Sequence, residues 1–89
     1  QERAKLAVGK ANAEMLNRAW KQMVQLDELL EGPFADGFDG SDPDNIAALL
    51  EYVELNEVEH VKWQSVSDEP TTGEFVAEAD ATITLPAQQ

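Results

Sequence analysis

Two hydrophobic periods occupy different parts of this chain, and no single kind of element accommodates both. Leu16, Ala19, Trp20, Met23, Leu26 and Leu30 recur every third or fourth residue, and so fall on one arc of a helix. Between Glu74 and Leu85 the period drops to two. Phe75, Ala77, Ala79, Ala81, Ile83 and Leu85 alternate with Glu74, Glu78, Asp80, Thr82 and Thr84, and Val76 is the one exception. The first pattern predicts an amphipathic helix and the second a half-buried strand, so the expected class is α+β.

The helical pattern runs over residues 11–31, and Gly32 and Pro33 end it. Five of its apolar positions also match a heptad, but over only two heptads, too short for a coiled coil. Extended back to residue 2, the helix would be roughly 45 Å long, whereas a compact chain of this size has a diameter of about 30 Å. Lys5 and Gly9 would also interrupt the apolar arc. Residues 1–10 are therefore read as a basic arm or projecting helical end, and residues 11–89 as one small domain. Leu6 and Val8 are candidate partner contacts on that end. Asp27 falls inside the stripe, either at a solvated margin or as a paired carboxylate at an interface.

Asp42 and Pro43 announce a second helix, as N-cap and first helical residue. Ile46, Leu49, Leu50 and Val53 form its buried face, and its end is expected near Asn56. Glu57–Val66 reads as a weaker strand, with Val61 and Trp63 inward and Val58, His60, Lys62 and Gln64 outward. A polar loop over Ser67–Gly73 would join it to the C-terminal strand as an antiparallel hairpin. A two-stranded sheet is marginal alone, and the longer strand leaves an unpaired edge. Completion of the sheet by another subunit is the expectation, with Pro86 limiting the pairing.

Composition narrows the function. A chain of 89 residues buries a small core. With no cysteine, disulfides and thiolate metal sites are excluded, and with one histidine most imidazole sites are too. The longest apolar run, Ile46 to Leu50, is far short of the ~20 residues that span a bilayer, and the first ten residues are charged rather than signal-like. A soluble, cytoplasmic protein is the expectation, and the start at Gln1 is read as a processed or excised chain. The net charge of -12 is uneven: residues 1–21 carry five of the six basic residues against two acids, a net of +3, and Lys62 alone faces the other sixteen acids, a net of -15. Such a body repels nucleic acid and anionic membranes and attracts basic partners.

Residues 35–45, ADGFDGSDPDN, hold four aspartates, but neither start at Asp36 nor start at Asp39 places oxygen ligands and glycine as a calcium loop requires. Asp36-Gly37 and Asp39-Gly40 read as turns, Asp42 as the cap, Asp44 as a partner of the helix dipole, and Phe34 and Phe38 as pins to the core. His60 reads as an exposed strand residue without a positioned nucleophile, and no GxSxG elbow or phosphate-cradling loop is present. Trp20 and Trp63 match the buried periods of their elements.

The expected function is a non-enzymatic protein–protein interaction or assembly module that self-associates as a homo-oligomer. It needs no cofactor or metal, and a small-molecule substrate is not expected. Its contact residues would be Leu6, Val8, Asp27, Phe75, Ala77, Ala79, Ala81, Ile83 and Leu85. The alternative is an acidic decoy that imitates nucleic-acid phosphates in the basic groove of a DNA- or RNA-binding protein, using Glu51, Glu54, Glu57, Glu59, Glu74, Glu78 and Asp80.

Overall fold

The computed structural model describes residues 2–32, 34, 35, 37–66 and 73–86. Helix α1 spans Glu2–Leu30, helix α2 Pro43–Tyr52, strand β1 Glu57–Ser65 and strand β2 Gly73–Thr84. The strands form an antiparallel two-stranded sheet, giving the α+β class that the two periods imply. Residues 67–72 of the expected hairpin loop, and Asp36 of the acidic loop, lie outside the described residues.

α1 is one unbroken helix, and the molecule measures 43 × 29 × 20 Å. At 1.5 Å per residue the helix alone accounts for the long axis. Its buried positions are Gly9, Ala13, Leu16, Ala19 and Met23, while residues 2–8 and 28–30 are all exposed. Both ends therefore overhang the core. Burial begins at Gly9, inside the segment expected to project. A Cβ there would fall on the His60 carbonyl oxygen and lie 3.0 Å from Cβ of Ala77. Gly9 interrupts the apolar arc because only a bare backbone lets α1 lie this close to β1.

The core joins these α1 residues to Phe34, Phe38, Ile46, Leu49, Leu50, Val58, Val61 and Phe75. Phe38 is the hub. Its ring stacks on Trp20 at 5.5 Å and meets Trp63 edge-on at 5.4 Å, and Trp63 meets Phe75 at 5.0 Å. Offset and edge-on pairs of this kind contribute about 0.5–1.5 kcal/mol each beyond burial. Gly40 serves this cluster as well as the turn closed by the Asp42 N–H on the Asp39 carbonyl at 3.1 Å, since a Cβ would enter the Trp63 ring.

Both helices end in the same way. Glu31 and Glu54 take positive φ (57° and 59°), and the next residue's N–H reaches back five positions: Gly32 to the Asp27 carbonyl at 2.7 Å, Leu55 to the Leu50 carbonyl at 2.9 Å. This is the Schellman geometry, in which the left-handed position normally holds glycine. α1 thus stops at Leu30, and Glu31 turns the chain one residue before the glycine credited with ending it. α2 stops at Tyr52, four residues short of the expected Asn56, because Glu54 turns the chain.

β1 departs most from expectation. Val58 was expected outward, yet it is buried together with Val61. The pairing explains the reversal. Glu59 faces Thr82 and Val61 faces Ala77, a step that skips one residue on β1, His60, and four on β2, Glu78–Ala81. His60 sits at φ 63°, which breaks the alternation and turns both valines inward. β2 keeps the expected parity at Phe75, which is buried, and at Ile83, which packs against the core as Leu85 does just past the strand's end.

Candidate interaction surface

The overhanging ends of α1 carry its most exposed apolar side chains. Leu26, Leu29 and Leu30 are 47%, 81% and 76% exposed at one end, and Leu6 and Val8 are 38% and 47% exposed at the other. The ends differ in charge. Arg3, Lys5 and Lys10 surround Leu6 and Val8, whereas Glu28 and Glu31 flank the leucines. Leu26 and Leu30 belong to the periodic stripe read from sequence, and Leu29 lies outside it. That stripe outruns its core, for Met23 is the last buried residue of α1.

Asp27 works within the chain. Its Oδ2 accepts the Phe34 N–H at 2.8 Å and its carbonyl accepts the Gly32 N–H, so both groups hold the turn that follows α1. This accounts for a half-buried carboxylate inside an apolar stripe without any interface.

The alternating residues of β2 face α1. Phe75 is 2% exposed and belongs to the core, Ala77 lies under Gly9, and Ile83 and Leu85 pack against the core while half-buried. Ala79 and Ala81 fall in the irregular step of the register and are half-buried. What the strand can offer a partner is therefore its backbone edge more than these side chains. That edge is closed at one point. The Asn17 amide donates to the Phe75 carbonyl at 3.1 Å and accepts the Phe75 N–H at 2.7 Å, as a neighbouring strand would. Asn12 similarly donates to the Glu59 carbonyl at 2.6 Å. Sequence reasoning passed over both asparagines, although polar amides beside the buried arc of a helix are a legible sign of backbone docking.

His60 is half-buried rather than exposed. Nδ1 donates to the Ala79 carbonyl at 2.7 Å, tying down the longer side of the bulge, and Nε2 lies 3.8 Å from a Glu59 carboxylate oxygen. The acidic loop follows the expected roles where it is described. Asp39 Oδ1 accepts from the Ser41 N–H and hydroxyl at 2.9 and 2.6 Å, the Asp39 N–H donates to Asn45, and Asp42 Oδ1 accepts the Asp44 N–H at 2.9 Å. Among the described residues no three His, Asp or Glu side chains converge on a point where a metal ion could sit, and no cavity opens. Among the described residues no helix is long and apolar enough to cross a membrane.

The acidic residues gather elsewhere. Glu57, Glu59, Glu74 and Asp80 stand exposed on the sheet, Glu51 and Glu54 at the end of α2, and Glu78 is half-buried with a 3.5 Å ion pair to Lys62. No protein family, curated protein or solved structure matches the chain.

Proposed function

We propose that this protein is a non-enzymatic assembly module that associates with itself through α1 and the free edge of its sheet. The observation that carries this reading is the exposure of Leu26, Leu29 and Leu30 on successive turns at the end of a helix that outruns its own core. Apolar side chains so placed lower the free energy when covered, by roughly 25 cal/mol per Å² removed from water. The open sheet edge offers a second, backbone-mediated contact, restricted to positions that Asn17 does not already satisfy. Removing residues 1–7, which stops short of buried Gly9, tests the N-terminal half of the proposal. Association should weaken while the far-ultraviolet and near-ultraviolet dichroism of the core stays intact. Unchanged association would remove the N-terminal end from the contact.

A second reading has its own support, in the placement of the acidic groups. Six of the seven residues named for an acidic decoy are exposed, and both helix C-termini carry glutamates against the negative end of the dipole, with no basic residue in either last turn. Negative charge sits where it lowers stability. A decoy would bind a basic nucleic-acid-binding protein with steep salt dependence, and capture that persists undiminished at high salt would exclude it.

A further inference from the structure

We infer that the surface α1 presents is occupied by α1 of a second copy, lying antiparallel about a two-fold axis near the middle of the helix. This rests on the self-assembly reading above and specifies its geometry. Beside the buried arc of α1 runs a second stripe. Ala4, Val8 and Ala11 lead toward the N-terminus, Gln22, Leu26 and Leu29 toward the C-terminus, and every one of these six residues is exposed. At about 100° per residue they fall within an arc of about 60°. Half-buried Met15 continues the stripe through the middle. Tyr52 of α2 reaches its edge, with its hydroxyl 3.2 Å from the Gln22 side-chain oxygen, and leaves Gln22 exposed.

The charges of α1 select the orientation. Antiparallel copies aligned with Ala4 opposite Leu29 of the partner subunit also set Ala11 opposite Gln22 of the partner subunit. In that register Glu14 falls within reach of Lys21 of the partner subunit. Glu28 of the partner subunit comes level with Lys5, between Arg3 and Lys10. The two-fold repeats every one of these contacts. A parallel pair would instead bring the basic end beside the basic end and the acidic end beside the acidic end. Opposed helix dipoles favour the same choice. Head-to-tail stacking would use the two ends but leave the middle of the stripe uncovered.

The test exchanges charges between the ends. One full-length variant carries Arg3→Glu with Lys10→Glu, and a second carries Glu28→Lys with Glu31→Lys; all four positions are exposed and outside the core. Alone, each variant sets like charge against like at both ends of the pair and should associate at least about tenfold more weakly than wild type at low salt. Mixed in equal amounts, the acidic-ended and basic-ended chains complement each other at both ends. They should form a heterodimer with affinity within a few-fold of the wild-type dimer. Variants that self-associate as well as wild type, or a mixture that does not pair, would overturn the antiparallel geometry while a multimeric wild type keeps the assembly reading. A wild type that stays monomeric would overturn both.

Discussion

Replacing Gly9 by alanine sets helix propensity against packing, and the structure decides the sign. In an open helix interior the change stabilises by about 0.8–1.0 kcal/mol. Here the new methyl would land on the His60 carbonyl oxygen, with the carbonyl carbon 3.1 Å away and Cβ of Ala77 at 3.0 Å. The obstacle is backbone, and it belongs to a residue held at φ 63° inside a paired strand, so no side-chain rotation relieves it. Overpacking typically costs about 1–3 kcal/mol, and a rigid neighbour places this case at the upper end. The expected net loss is about 2 kcal/mol, a large share of the roughly 4–13 kcal/mol available to a chain of this length. The corresponding drop in Tm is about 8–16 °C. Urea titration followed by tryptophan fluorescence and dichroism would measure it, since Trp20 and Trp63 both report on the core. The exposed comparison, Ala7→Gly, lies outside the exposed stripe of α1 and should lose about 1 kcal/mol from propensity alone. A Gly9→Ala protein as stable as wild type, or more stable, with an unchanged urea slope, would refute the close approach of α1 to β1.

Glu31→Gly and Glu54→Gly should each stabilise by about 1 kcal/mol, because both relieve a left-handed conformation and remove negative charge from a helix C-terminus; the two gains should add in thermal melts. His60→Val should destabilise by more than about 2 kcal/mol, since a β-branched residue resists positive φ and cannot bond the Ala79 carbonyl, whereas His60→Asn should lose about 1 kcal/mol or less by chemical denaturation. Asn17→Ala frees the N–H and carbonyl of Phe75 and should lower stability by about 1–3 kcal/mol. If the sheet edge takes part in assembly, the same variant should form larger species in sedimentation velocity runs.

Hydrophobic period made the elements legible. The arc from Leu16 to Met23 marked α1 and its buried face, and the alternation from Phe75 onward marked β2 with its inward parity. Asp42 as N-cap and Phe34 and Phe38 as pins were equally readable, because each role needs only local chemistry. Long-range geometry was not. The inward turn of Val58 depends on a three-residue mismatch between two strands and on one left-handed histidine, and pattern within a single strand carries neither. Gly9 resembled a flaw in a helix because its reason, the backbone of β1, lies some fifty residues away in sequence. Asp27 and Asn17 share that character, for each bonds to backbone beyond its own helix. The surface of α1 was half-visible. Leu6 and Val8 stood out on a segment that looked surplus, while Leu26 and Leu30 were hidden inside a pattern that implied burial and Leu29 lay outside that pattern.

Molar mass in solution, by light scattering on a sizing column at low and at high salt, tests the central claim most directly. Self-assembly through α1 predicts a mass near twice the 9.8 kDa of the chain at low salt, with weaker association at high salt as the charged ends are screened. A single species at 9.8 kDa under both conditions, at concentrations well above micromolar, would contradict it.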